Sequence, residues 1–121
     1  MAFTTILPET ARLGKETLDV NGAVKIPADA TSVWIRLLLD KAIVAASDFQ
    51  VTVNTFASDD GKTWEEICGF GCEGQKYRAA PVESPSMRFR GESLKRILGR
   101  LLRVELDVKN SKAIGVEVEV V

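Results

Sequence analysis

The last third of the chain alternates between apolar and polar residues from position 102 to position 120. The apolar residues occupy even positions, and charged residues fill most of the odd ones. These apolar residues are Leu102, Val104, Leu106, Val108, Ile114, Val116, Val118 and Val120. A period of two residues is that of a β-strand with one face in a core and one in water. Since residues 110–112 read Asn-Ser-Lys, we predict a turn there, and therefore an antiparallel hairpin.

A second hairpin is predicted around a polar turn at residues 57–62. The preceding segment, residues 49–56, alternates, with Val51 and Val53 on one face and Thr52 and Asn54 on the other. The turn contains Asp-Asp-Gly, whose residues tolerate the left-handed backbone of a tight turn. Trp64 would open the return strand, which ends near residue 70.

Four further segments complete the expected elements. Residues 33–40 are nearly all apolar and predict a central strand. Residues 15–20 and 24–26 predict two short strands joined by the hairpin signal Asn21-Gly22. Residues 87–90 predict another strand. Residues 92–101 predict one or two helical turns, with Ser93 as N-cap and Gly99 as terminator.

The fold class that follows is all-β. Seven or eight strands separated by turn signals, with little helix, predict an antiparallel β-sandwich with jelly-roll or Greek-key connections. At 121 residues the chain suits one domain. We expect an N-terminal arm or short edge strand over residues 1–14, which becomes ordered only when it docks, and a single β-sandwich domain over residues 15–121. Residues 41–47 and 71–86 are expected to be loops.

The composition is that of an ordinary globular protein. Hydrophobic residues make up 45% of the chain, charged residues 27%, and the formal net charge is −1. Such a charge gives no general attraction to nucleic acid or to an anionic membrane. No apolar run approaches the ~20 residues of a transmembrane helix, and the N-terminal residues lack the regions of a signal peptide. We therefore expect no membrane partner, and synthesis in a cytoplasm.

The reactive side chains predict no enzyme, no cofactor and no metal. The chain has no histidine, and its two cysteines are Cys68 and Cys72. These are too few for a structural zinc site with four ligands, and a local disulfide between them stays open. Histidine is the commonest general base. Ser93 and Lys95 could replace it, but nothing around them suggests an oxyanion hole.

A basic stretch over residues 88–103 is the local feature that departs most from the nearly neutral composition of the chain. Six basic residues and one acidic residue, Glu92, give it a charge of +5. The basic residues are Arg88, Arg90, Lys95, Arg96, Arg100 and Arg103. If they gather on one side, we expect them to contact an acidic partner protein. The alternative is a solvated edge whose charges prevent aggregation. Nucleic acid is a weaker candidate because Phe89 is the one aromatic residue there that could stack on a base.

The turn at residues 57–64, ASDDGKTW, resembles the Asp-box hairpin of sialidases and other β-rich proteins, S-x-D-x-G-x-T-W. Asp59, Gly61, Thr63 and Trp64 match that pattern, and Ala57 replaces the leading serine. The resemblance implies a folding element in which the aspartate braces the turn and the tryptophan packs in the core. It implies no catalytic role. A similar layout occurs in discoidin-like carbohydrate-binding jelly rolls.

The order of segments along the chain resembles that of small virion accessory proteins of tailed bacteriophages. The segments that carry this resemblance are residues 1–5, 33–40, 49–67, 99–106 and 114–121. It implies a non-enzymatic structural protein of the virion, such as a capsid decoration or cement protein, made in the host cytoplasm. Its partners would be capsid proteins or neighbouring head or tail proteins, and a homo-oligomer stays open.

A carbohydrate-binding β-sandwich module is the alternative function. Such modules present aromatic side chains to the sugar, and the candidates are Trp34, Trp64 and Tyr77. Both tryptophans lie in strand patterns that favour core packing, and Tyr77 lies in a predicted loop. Docking on a larger assembly is therefore the first hypothesis. A hydrolase comes third because it would need a general base that this sequence does not offer.

Overall fold

The computed structural model describes residues 3–17, 23–39, 50–73 and 86–121. The elements in these ranges are β1 (Thr4–Thr17), β2 (Val24–Lys25), β3 (Val33–Leu38), β4 (Gln50–Ser58), β5 (Glu65–Glu73), β6 (Ser86–Phe89), α1 (Gly91–Lys95) and β7 (Leu101–Val120). Every strand pair among them is antiparallel. The loop expected at residues 41–47, the turn expected at Asn21-Gly22 and residues 74–85 of the second expected loop lie outside the described ranges.

The 20-residue strand β7 is the central strand of the fold. β1 lies along one edge of β7, and β2 continues along that edge beside the beginning of β7. On the other edge, β7 pairs with β4 over residues 101–108 and with β3 over residues 115–120. β5 lies beyond β4, and β6 lies beyond β3.

The hydrogen-bonded sheet folds over into two layers that share the long strands. One layer contains β5, β4 and the first half of β7, and the other contains β6, β3 and its second half. The prediction of an all-β antiparallel sandwich with little helix is confirmed, with seven strands in the described ranges. The jelly-roll or Greek-key connectivity stays a prediction.

The hairpin expected within the last third of the chain is wrong, because β7 runs without a turn through residues 110–112. β1 pairs with β7 on both sides of this point, at Arg12–Lys112 and at Gly14–Val108. A register shift between these pairs absorbs the irregularity. Pairing with β1 therefore keeps β7 extended through a segment whose local sequence favours a turn. In sheets, strand pairing commonly overrides local propensity.

The N-terminal segment forms a strand, which is one of the two alternatives expected for it. Residues 4–14, expected as an arm or short edge strand, form the greater part of β1 and pair with β7. β1 continues through residue 14, where the boundary of the sandwich domain was expected. Residues 15–17 and β2, expected to pair with each other, both pair with β7 instead.

The core lies between the two layers and is built from alternate residues. Val33, Ile35 and Leu37 of β3 are completely buried, and the even-numbered apolar residues of β7 from Leu102 to Val118 are buried on both sides of residue 110. The buried hydrophobic residues are Ile26, Val33, Ile35, Leu37, Val51, Val53, Ala57, Ile67, Phe89, Leu94, Ile97, Leu102, Val104, Leu106, Val108, Ile114, Val116 and Val118. The predicted alternation of β4 and β7 is thus confirmed, and β3 is, as predicted, a central strand, between β6 and β7.

A β-bulge interrupts the β4–β5 hairpin opposite Thr55. The register shifts between Asn54 and Phe56, which leaves one extra residue on β5. The fully buried Thr55 hydroxyl donates to the Cys68 carbonyl oxygen at 2.6 Å and accepts from the Cys68 N–H at 3.4 Å. The Thr55 side chain thus replaces the backbone hydrogen bonds that the bulge removes, so no buried hydroxyl is left unpaired there.

The outermost strands, β5 and β6, meet beside the bulge. The Cys68 thiol is free and half-buried, and its Sγ lies 3.8 Å from Sδ of Met87 on β6. Both side chains pack against the core. The side of the sandwich between β5 and β6 is therefore closed by side chains at this point.

The short helix α1 follows β6 directly. Its N-cap is Arg90, and the predicted N-cap, Ser93, is its third residue. The Ser93 hydroxyl donates to the Arg90 carbonyl oxygen at 2.8 Å and accepts from the Arg90 N–H at 3.1 Å, so it closes the first turn from within. Gly99, at φ 73°, ends the turns after α1 as predicted. No helix in the described ranges is long and apolar enough to span a membrane.

The two glycines of β5 offer a matched test of the bulged hairpin. A Cβ at position 69 would lie 2.3 Å from the Val53 carbonyl oxygen, whereas at position 71 the nearest atom, the Val51 carbonyl oxygen, would be 3.9 Å away. We expect Gly69→Ala to lower the free energy of unfolding by about 1–3 kcal/mol, because backbone must move. We expect Gly71→Ala to be neutral or to raise it by up to ~1 kcal/mol. Urea denaturation measures both, and equal effects would contradict the register.

Candidate functional site

The turn between β4 and β5 is closed by two polar side chains. The Ser58 hydroxyl accepts the Gly61 N–H at 2.8 Å, and the Asp60 Oδ1 accepts the N–H groups of Lys62 at 2.8 Å and Thr63 at 2.9 Å. Gly61 has φ 76°, which only glycine adopts without strain. The hairpin is confirmed, but the bracing role that the Asp-box resemblance implies for Asp59 belongs to Asp60.

Asp60 has a pKa below the ordinary value of 3.8. The largest cause is the hydrogen bond from the Thr63 N–H, followed by those from the Lys62 N–H and the Ser58 hydroxyl. Each of these donors favours the ionised carboxylate. The turn is therefore held by a charged group at a fully solvated position.

Arg100 and Arg96 fasten the segment after α1 to this hairpin. Arg100 Nε lies 3.0 Å from Asp59 Oδ1, and its Nη1 lies 3.3 Å from Glu65 Oε1. Arg96 donates to the carbonyl oxygens of Ile67 at 3.2 Å and Glu66 at 3.3 Å. Exposed ion pairs contribute little by themselves. The hydrogen bonds to carbonyl oxygens fix where the two guanidinium groups lie.

Arg103 lies between two aromatic rings on the outer face of the same layer. It is directly opposite Phe56 in the β4–β7 register. Its Cζ is 5.3 Å from the Phe56 ring centroid and 4.3 Å from the Trp64 ring centroid, distances at which a cation is attracted to the ring. Its Nε is buried and has no hydrogen-bond partner among the described residues. We call Phe56, Asp59, Trp64, Glu65, Arg96, Arg100 and Arg103 the hairpin cluster.

A second aromatic–arginine group lies on the outer face of the other layer. The Arg88 Cζ lies 4.3 Å from the Trp34 ring centroid, and the Arg36 Cζ lies 5.7 Å from it and 3.9 Å from the Phe3 ring centroid. Phe3 and Trp34 meet edge to face at 5.1 Å. Arg36 also pairs with Glu117 on β7. We call Phe3, Trp34, Arg36, Arg88, Glu117 and Glu119 the β3 face.

Neither tryptophan lies in the core, so the core packing expected for Trp34 and Trp64 is wrong. Both are half-buried and absent from the buried cluster. Trp34 alternates with the inward-pointing Val33 and Ile35, and it therefore shares the outer face with Arg36. Phe56 likewise shares the outer face of β4 with Thr52 and Asn54. The sequence feature that indicates these outward positions is the period of two, which places the even-numbered residues of β3 and β4 on the outside.

The six residues of the basic stretch do not form one patch. Arg96, Arg100 and Arg103 belong to the hairpin cluster, whereas Arg88 lies on the β3 face. Lys95 is exposed and pairs with Glu92 at 3.1 Å, and Arg90 is exposed. Acidic side chains from the hairpin, Asp59 and Glu65, neutralise part of the charge that the linear sequence concentrates.

Two shallow cavities lined by residues of the described ranges open on the layer that contains β4. One, of about 240 Å³, borders the hairpin cluster, and its lining is Asp59, Asp60, Thr63, Trp64, Glu65 and Arg100. The other, of about 270 Å³, is lined by Gln50, Thr52, Asp107 and Lys109. Across the described ranges, no three side chains of histidine, cysteine, aspartate or glutamate come together as ligands for a metal ion.

Comparison with known proteins does not identify a family for this chain. No protein-family model matches the chain, and no curated protein matches it. Among solved structures, the chain is similar to Xylanase10C from Cellvibrio japonicus, a mutant in complex with xylopentaose. The two share 13% identity at a TM-score of 0.40, over 91% of this chain and 22% of the xylanase chain. A likeness at that level carries no inference about function.

The turn predicts a pH dependence of stability that arises from Asp60. Because the folded-state pKa of Asp60 is lowered, ionised Asp60 stabilises the fold at pH above the ordinary value of 3.8, and this is lost as the pH falls through the folded-state pKa. We expect Asp60→Ala to lower the melting temperature at neutral pH. As the pH is lowered toward about pH 2, we expect the melting temperature of this variant to fall less than that of the unmodified protein. Asp59→Ala, which leaves the turn hydrogen bonds intact, is the control. Identical pH profiles for Asp60→Ala and the unmodified protein would contradict this assignment.

Proposed function

We propose that this protein is a non-enzymatic structural protein that docks on a larger assembly, and that the assembly is the virion of a tailed bacteriophage. The resemblance of segment order supports the virion, where a capsid decoration role is the specific form of the proposal. The antiparallel sandwich is a fold that suits such a role, although the fold is shared by many functions. The partners are then capsid proteins or neighbouring head or tail proteins.

The observation that carries the docking proposal is the Phe56–Arg103–Trp64 stack of the hairpin cluster. Tryptophan and arginine are the residues most enriched among those that contribute strongly to protein interfaces. Here both are half-buried and held before any partner arrives, since Arg103 lies against both rings. Side chains that are already ordered lose little conformational entropy on binding.

The remaining arginines of the cluster have a supporting role in this proposal. Arg96 and Arg100 are engaged by Glu65, Asp59 and carbonyl oxygens of the hairpin. They hold the hairpin against the segment after α1, and thereby fix the position of Trp64. Reversing their charges would disturb the fold as well as binding. Probes of docking are therefore better placed at Trp64 and at exposed side chains of the turn.

Co-sedimentation with purified tailed-phage capsids tests the proposal. We expect the protein to pellet with capsids, Trp64→Ala to weaken binding by about 30-fold as for an interface residue of this type, and Lys62→Glu to weaken it several-fold. Lys62 is exposed in the turn. Lys109→Glu, the same change at an exposed position on β7, is the matched control and should bind normally. Circular dichroism confirms that each variant is folded.

Two outcomes would overturn this proposal. The first is an unmodified protein that stays in the supernatant with heads and with tails. The second is folded Trp64→Ala that binds as tightly as the unmodified protein, which would place docking elsewhere on the surface.

A carbohydrate-binding module is the second candidate, and the outward position of both tryptophans favours it. Sugars stack on exposed aromatic rings, but guanidinium groups lie 4.3 Å from the ring centroids of Trp34 and Trp64. A sugar would have to use the opposite ring faces or displace Arg88 or Arg103. Titration of tryptophan fluorescence with xylo- and cello-oligosaccharides separates the candidates. Saturable quenching that Trp34→Ala or Trp64→Ala abolishes would favour the module, and we expect none.

A further inference from the structure

A row of three side chains crosses the β3 face at right angles to its strands. Trp34 on β3 pairs directly with Arg88 on β6 and with Glu119 on β7. Strands lie about 4.8 Å apart, so the two charged residues stand on either side of the ring at roughly that distance. Arg88 is exposed, and Trp34 and Glu119 are half-buried. Across the sheet, the row therefore consists of a positive charge, an aromatic ring and a negative charge.

The two charges at the ends of this row have no ionic partner within the described part of the chain. Arg88 contacts the Trp34 ring, and neither Arg88 nor Glu119 forms an ion pair there. The two other charged residues of the β3 face, Arg36 and Glu117, form an ion pair and so neutralise each other. The β3 face thus presents an aromatic centre with one free charge of each sign, on opposite sides.

We infer that the β3 face binds the same face of a second copy of this chain, giving a two-fold symmetric dimer. In such a dimer the same patch meets itself, so the patch must be self-complementary. A two-fold axis that lies in the interface, parallel to β3 and over Trp34, places Arg88 of each copy opposite Glu119 of the second copy. The outward residues of β3 then lie on the axis, so Trp34 meets its copy at the centre, and Arg36, whose charge Glu117 neutralises, meets its own copy beside it.

The charges also favour this orientation over one in which the axis is perpendicular to β3. An axis in the interface but perpendicular to β3 would set Arg88 against Arg88 and Glu119 against Glu119. Like charges placed together across an interface are strongly unfavourable. With the axis parallel to β3, the β3 strands of the two copies run in the same direction, and the sheets stack in the aligned manner common for sheet-on-sheet packing.

The dimer goes beyond the docking proposal and uses a different surface. The hairpin cluster lies on the outer face of the β5–β4–β7 layer, and the β3 face lies on the outer face of the other layer. A dimer of this kind leaves both copies of the hairpin cluster accessible. Failure of one proposal therefore leaves the other standing.

Charge reversal with mixing tests the dimer. By analytical ultracentrifugation at about 100 μM, well above a micromolar dissociation constant, we expect the unmodified protein to sediment as a dimer. Arg88→Glu makes both ends of the row negative, and Glu119→Arg makes both positive. Each variant alone should raise the dimer dissociation constant by about tenfold or more, because like charges then meet. An equimolar mixture of the two variants should form a heterodimer, since a negative row then meets a positive one.

The double variant and a control complete the experiment. Arg88→Glu combined with Glu119→Arg restores opposite charges across the two-fold axis and should dimerise. Lys109→Glu, a charge reversal of the same kind at an exposed position of β7 just beyond its pairing with β4, should not affect the dimer. Melting temperatures establish that each variant is folded. A monomeric unmodified protein, single variants that dimerise normally, or a mixture that stays monomeric would each overturn the inference.

Discussion

The whole sandwich depends on β7 having hydrogen-bonded partners along both edges for most of its 20 residues. Only β5 and β6 among the described strands do not pair with it directly, and each is one strand away. Because its even-numbered residues face inward in both halves, β7 supplies side chains to the core of both layers. The outward residues of its two halves, Arg103 and Glu119, then lie in the two surface groups that the proposals concern.

The fold class was predictable because it depends on a short-range pattern. Alternation along β4 and β7 placed their inward faces correctly without any knowledge of strand order. The turn expected near Asn110 failed for a physical reason, since three polar residues favour a turn only when no neighbouring strand supplies backbone partners. β1 supplies them here. Local sequence cannot report a partner strand that lies about a hundred residues away.

The candidate site was less predictable. The outward positions of Trp34 and Phe56 follow from the same period of two, but the hydrophobicity of the rings argued for the core. The pairing of Arg100 with Asp59 could not be anticipated, because it requires the segment after α1 to lie against the β4–β5 hairpin. Position in the linear sequence grouped six basic residues, whereas the fold separates Arg88 from Arg103 and brings acidic side chains between the others.

The central position of β7 also determines the order in which the chain can fold. The β4–β5 hairpin is local and can form early, but β1 must wait for a strand whose residues follow it by about a hundred positions, as in the pair of Thr4 with Val118. Pairings at such separations make folding slow, on the order of milliseconds to seconds. During synthesis on the ribosome, β1, β3 and β4 therefore emerge with open edges before their common partner exists. Over that interval the nascent chain is most exposed to aggregation and to chaperones.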